Sequence, residues 1–152
     1  MKILVIDDKA ANIESAISTL IGHDVDTANS YQEGLKKIGI EKEGGILQFG
    51  KCVYDVVFTD MNMPVDTESY KGDGKEELAG WSLALLATRQ GAKRVVVVSD
   101  ANHHHDAGSA MMDFHSDPLE FANGGKLFFC HAYSKDMVDT NQGAGKNWAK
   151  FL

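Results

Sequence analysis

Tyr54-Asp55-Val56-Val57-Phe58-Thr59-Asp60-Met61-Asn62-Met63-Pro64 is an apolar run that stops at an acidic side chain. The opening of the chain, Met1-Lys2-Ile3-Leu4-Val5-Ile6-Asp7-Asp8, has the same form. Runs of this length, rich in Val and Ile, suit strands buried on both faces, as in a parallel sheet. The functional crevice of such a sheet lies beyond the carboxyl ends of its strands. Asp7, Asp8 and Asp60 are therefore expected to converge at one edge. Three carboxylates side by side repel one another unless a cation lies between them. Hard oxygen ligands favour Mg²⁺, which binds a few carboxylates and keeps waters free for a phosphate.

Around these two runs the chain alternates strand and helix. The pattern predicts strands over 3–6, 23–28, 53–59, 95–99 and 127–132. After the first strand, Asp8 can cap a helix whose apolar stripe is Ile13, Ala16, Ile17, Leu20 and Ile21. Ser30 and Glu33 have the spacing of a capping box, and Leu35 and Ile38 continue that helix's apolar face. Helices are also expected over 80–87, with Trp81, Ala84 and Leu85 inward, and over 107–114. Gly143 and Gly145 shorten the final helix to about 146–152. Alternating β and α elements imply a parallel sheet with helices on both faces.

The bulk numbers fit one compact domain spanning 1–152, with inserts near 39–52 and 65–79. A chain of 152 residues with 43% hydrophobic content can bury a sizeable core. A net charge of -7 disfavours direct nucleic-acid binding, which needs a basic footprint. Cys52 and Cys130 cannot make a disulfide framework and read as buried free thiols of a reducing cytoplasm. No apolar run reaches the length of a membrane span, and strand pattern at the very start leads us to expect no signal peptide. A cytoplasmic location is the expectation.

The ordered set of residues resembles the receiver domain of two-component response regulators. The paired Asp7-Asp8 after the first strand, Asp60-Met61-Asn62-Met63-Pro64 after the third and Ser99 after the fourth match that family's pattern in order. The resemblance covers most of the chain. It implies a flavodoxin-like, doubly wound, five-stranded parallel sheet of order 2-1-3-4-5. It implies that Asp60 is the phosphoacceptor, forming an acyl phosphate as other carboxylate nucleophiles do. Asp7, Asp8, Asp60 and the backbone carbonyl of Asn62 would hold Mg²⁺, which offsets charge on the phosphoryl oxygens. Ser99 would donate a hydrogen bond to the bound phosphoryl group, and Pro64 and Gly80 would frame the following loop. The implied partners are a histidine kinase or phosphotransfer protein and a downstream protein target. With no room in this length for an output domain, signalling would pass through protein contact, and the chemistry would be limited to self-phosphorylation from a donor and autodephosphorylation.

Several departures from the family pattern stand beside these matches. The polar stretch from Val65 to Ala79 intervenes before Gly80 and reads as a solvated excursion, with a lid or partner-reading loop as its functional alternative. Asp100 stands where the family has a small residue, and its carboxylate would repel a phosphoryl group or join in cation binding. The family's lysine at the end of strand five has no counterpart in comfortable register. His131 or Lys135 are the substitutes within reach, and Lys146 and Lys150 read as a solvated face. In the other insert, Gly44-Gly45 would close a small hairpin or break an extended helix. The run His103-His104-His105 lacks the ligand spacing of a zinc site and reads as a solvated loop.

Two other function classes follow from the same residues. One is a degenerate pseudo-receiver, an interaction module without phosphorylation, which the missing lysine and Asp100 favour. The other is a haloacid-dehalogenase-like phosphatase, which Phe58-Thr59-Asp60 resembles. That family needs an acid two positions after the nucleophile, where this chain has Asn62.

Overall fold

A computed structural model describes residues 1–66, 71–102 and 104–152. In chain order the elements are β1 (Lys2–Ile6), α1 (Ala10–Thr19), β2 (Asp24–Ala28), α2 (Tyr31–Lys37), β3 (Ile40–Glu43), β4 (Ile46–Phe49), β5 (Val56–Asp60) and β6 (Met63–Asp66). There follow β7 (Lys71–Glu77), α3 (Ala79–Arg89), β8 (Arg94–Ser99), α4 (Ala107–Met112), β9 (Leu119–Glu120) and β10 (Lys126–His131). A 3-10 turn over Ser134–Asp136, the hairpin β11 (Met137–Thr140) and β12 (Gly143–Lys146), and a second 3-10 turn over Trp148–Phe151 complete the chain.

The apolar runs form the centre of one sheet, ordered β2-β1-β5-β8-β10-β9. The first five of these strands are parallel, and β9 adds a short antiparallel edge beside β10. Counted among themselves in chain order, the five parallel strands run 2-1-3-4-5, as expected. The sixth strand was not expected; it returns through a tight turn in which Gly124 has φ 82° and the Phe121 amide donates to the Gly125 carbonyl. Register aligns the strand ends that matter: Ile6 pairs Thr59, Asp60 pairs Val98 and His131 pairs Ser99.

Two cores sandwich the sheet. Leu4, Ile6, Val57, Val95, Val97 and Leu127 pack against α2, α3 and α4. Ile3, Val5, Phe58, Val96 and Val98 pack against α1 and Trp148 on the other face. Alternate residues of one strand thus serve opposite layers, which is why the runs are unbroken.

Local chemistry sets the ends of the helices. Ser30 Oγ accepts from the Glu33 amide at 3.3 Å, while Glu33 reaches back to the Asn29 amide. Asp106 accepts from the Ser109 amide at 2.6 Å and caps α4. Asp8 does not cap α1. The cap position is Lys9, whose amide donates to Asp7 at 2.9 Å. Gly44 and Gly45, at φ 57° and 84°, turn β3 into β4, so the first insert is a hairpin. In the second insert β6 pairs antiparallel with β7. The tip of that insert, 67–70, lies outside the described residues, as does His103; His104 and His105 are exposed.

Two expectations are corrected on the α1 side. Ala16 and Leu20 of the predicted stripe are buried, but Ile17 and Ile21 are 66% and 82% exposed. The buried face is rotated to include Asn12 and Ser15, because β12 packs there. The predicted final α-helix is instead the β11–β12 hairpin followed by a 3-10 turn. On α3 it is Leu83 that is fully buried, while Leu85 is exposed. Cys52 is buried as expected and Cys130 half-buried; both are free thiols.

Candidate functional site

The carboxyl ends of β1 and β5 deliver Asp7, Asp8 and Asp60 to one point, as their positions after buried strands require. One oxygen from each lies within 4.8 Å of the others. Asp7 and Asp60 are buried, at 0% and 2% exposure. Gly80 permits this packing. Its amide donates to the Met61 carbonyl at 3.0 Å, and a Cβ there would lie 1.8 Å from the Asp60 carbonyl oxygen. The start of α3 can therefore rest directly on the end of β5.

An ammonium group expected on a solvated face stands between these carboxylates. Lys146 Nζ donates to Asp60 Oδ1 at 2.5 Å, to Asp7 Oδ2 at 2.8 Å and to the Val98 carbonyl at 3.1 Å. Lys146 is fully buried. It enters from β12, and Gly145 makes the entry possible: a Cβ there would come 2.3 Å from the Ala11 carbonyl oxygen. Asn12 fixes its position. The Asn12 amide nitrogen donates to both Asp7 oxygens, at 3.0 and 2.9 Å, while its side-chain oxygen accepts from the Lys146 amide at 2.9 Å. The Asn12 carbonyl also accepts from Trp148 Nε1 at 2.8 Å. Trp148 stacks obliquely on Phe58, with ring centroids 5.5 Å apart, and closes the far side.

Burial pushes the Asp60 carboxyl up, to about 7, with Asp7 adding to the shift and Lys146 opposing it. Burial alone would lower Lys146, but Asp60, Asp7 and Asp100 outweigh it and hold the ammonium above the ordinary lysine range. Asp7 and Asp60 share the one ammonium, and Asp8 adds a third carboxylate donor beside them. A divalent cation with oxygen preference matches that donor set, so the cluster can hold such an ion.

Asp100 turns out to be paired. Lys9 Nζ donates to its two oxygens at 2.9 and 3.1 Å, linking the loop after β1 to the loop after β8. Burial would raise the Asp100 carboxyl, but Lys146 and Lys9 hold it below the usual range. Ser99 ends β8 at 2% exposure, and its Oγ accepts from the Ala101 amide at 3.1 Å. Asn62 lies two residues past Asp60, with its side-chain amide donating to Asp106 at 3.3 Å.

Neither substitute lysine position proposed from sequence is the cation beside Asp60. Lys135 lies on the 3-10 turn with its ammonium 5.8 Å from the centre of the Tyr133 ring. His131 faces α4, where Nδ1 lies 3.3 Å from Ser109 Oγ and Nε2 lies 2.9 Å from Asp113. Lys146, Asn12 and Trp148 belong to the site without being expected from the sequence. The signals for them were slight: polar Asn12 and Ser15 interrupting a helix face, and a lysine directly after Gly143-Ala144-Gly145. Among the described residues no helix is long and apolar enough to cross a membrane. Comparison with protein-family models, curated proteins and solved structures finds no match.

Proposed function

We propose that this chain is a receiver-like phosphoacceptor module with a flavodoxin-like arrangement, in which Asp60 takes a phosphoryl group from a histidine kinase or phosphotransfer protein. The observation that carries the reading is the Lys146 ammonium, 2.5 Å from Asp60 Oδ1 and 2.8 Å from Asp7, at the carboxyl edge of a mainly parallel sheet. It supplies, from β12, the cation that the end of β10 lacks. Asp7, Asp8, Asp60 and the Asn62 carbonyl would hold Mg²⁺, which when bound offsets charge on the phosphoryl oxygens.

The remaining steps belong to the chain's own groups. An Asp60 oxygen attacks phosphorus as the bond to the donor breaks, giving an acyl phosphate. Lys146 moves from the carboxylate oxygen it now pairs to an oxygen of the transferred group, a shift within the reach of a flexible side chain. Ser99 donates its hydroxyl hydrogen to another phosphoryl oxygen. Lys9 and Asp100, at the exposed side of the cluster, part to admit the donor. Signalling then passes to a downstream protein by contact.

A second reading is favoured by one observation: Asp60 is 2% exposed and already ion-paired. A pseudo-receiver that keeps this pair permanently would bind its partner without phosphorylation. Incubation with Mg²⁺ and acetyl phosphate, followed by intact mass, separates the two. The phosphoacceptor reading expects an adduct of one phosphoryl group that Asp60→Asn abolishes. No adduct with donor in excess would establish the pseudo-receiver.

A further inference from the structure

A chain of polar side chains leads from Ser99 to the surface on the α4 side. Ser109 Oγ, fully buried on α4, lies 3.5 Å from Ser99 Oγ, 3.2 Å from the Ala101 carbonyl and 3.3 Å from His131 Nδ1. His131 Nε2 lies 2.9 Å from Asp113 Oδ1, just past α4. The hydroxyl contacts are long and the imidazole–carboxylate contact short, so the hydroxyls have room to change partners. His131 also lines an open cleft of about 340 Å³ with Asp100, Asn102, His104, Tyr133 and Ser134, which gives solvent protons a route to it.

We propose that His131 is a positioning residue whose protonation, relayed by Ser109, decides whether the Ser99 hydroxyl hydrogen is available to a phosphoryl group on Asp60. The proposal rests on the phosphoacceptor reading and adds its regulation by pH. A hydroxyl has one hydrogen to give and two lone pairs. With His131 neutral, Asp113 takes the Nε2 hydrogen and Nδ1 is an acceptor. Ser109 then gives its single hydrogen to Nδ1 and can meet Ser99 only as an acceptor, drawing the Ser99 hydrogen back from the site. With His131 protonated, both ring nitrogens donate. Ser109 accepts from Nδ1, and its hydrogen is released to Ser99 Oγ or the Ala101 carbonyl. Ser99 Oγ, already accepting from the Ala101 amide, then holds its own hydrogen for the phosphoryl oxygen.

Among the described residues, His131 faces Asp113 beyond α4, Asp100 and His104 from the loop after β8, and Tyr133, whose ring centroid is 6.0 Å away. By linkage, the proton on His131 and the group on Asp60 must strengthen one another equally.

The test is the ring-nitrogen NMR titration of His131 in the full chain with Mg²⁺, without and with beryllofluoride as the phosphoryl stand-in. The proton affinity of His131 should rise about fivefold when beryllofluoride binds, the low end of coupling between sites. Reciprocally, beryllofluoride should bind about fivefold tighter below the histidine range than above it. Ser109→Ala should leave His131 titrating and erase the coupling, and His131→Phe should flatten the pH dependence of beryllofluoride affinity in that range. A His131 titration unchanged by bound beryllofluoride would overturn the relay and leave the phosphoacceptor reading standing. Failure of the Mg²⁺-loaded protein to bind beryllofluoride at all would overturn both.

Discussion

Lys146 sits where burial alone would drive an ammonium neutral, and it stays charged because Asp7 and Asp60 face it. Removing one member of such a buried group costs more than the group's net worth, since the others are left uncompensated. Lys146→Met keeps the stem and deletes the charge. It should destabilise the fold by about 3–5 kcal/mol near neutral pH in urea unfolding. The loss should shrink at pH 5, where Asp60 takes up a proton. A loss independent of pH would show that packing of the stem, not the charge, is what Lys146 contributes. The aspartates were legible from sequence because each follows a buried strand directly, so register fixes its place. Lys146 was not, because it stands 86 residues from Asp60 and reaches it through a hairpin whose docking no local pattern encodes.

At the scale of elements, the parallel strands were readable from their unbroken apolar runs, with ends shifted by up to three residues. The orientation of α1 and the form of the C-terminal segment were not. Helical spacing predicts which residues share a face, but the partner decides which face is buried. Here β12 lies against Asn12 and Ser15, and so Ile17 and Ile21 are left outward. Two glycines in a short segment argued against a long helix but did not reveal a strand laid on α1. Gly145 is where that contact is closest, with the Ala11 carbonyl 2.3 Å and Ser15 Cβ 2.8 Å from where a Cβ would sit. Gly145→Ala must push β12 outward, and it should cost about 1–3 kcal/mol, as overpacking does. Because Trp148 follows on the same segment, its fluorescence should shift to the red in the folded variant. An unshifted spectrum with wild-type stability would mean that α1 and β12 can slide apart without disturbing the site.

For the whole molecule, the site sets a conflict between folding and function. Three carboxylates are brought together by the strand ends, and two of them, Asp7 and Asp60, share one buried ammonium. Asp60 records the strain, its carboxyl raised by burial to about 7. A group that binds its proton more tightly when folded adds stability below its unfolded value, and that stability is lost as pH rises through the folded value. With chelator present, wild-type stability should therefore fall between pH about 4 and about 7 on account of Asp60, by an order of a few kcal/mol. Asp60→Asn lacks the titration, so its stability relative to wild type should climb over the same window and level off above it. Lys146 and Asp100 leave that window undisturbed. The raised ammonium holds its contribution in full up to 10.5 and loses it only above that, and the lowered carboxyl loses its contribution only below 3.8. Adding Mg²⁺ above pH 7 should restore wild-type stability in proportion to the logarithm of its concentration, and should do much less for Asp60→Asn. Parallel stability–pH curves for the two proteins, unmoved by Mg²⁺, would show that the aspartates are satisfied by Lys146 alone and that the cluster is a structural feature rather than a cation site.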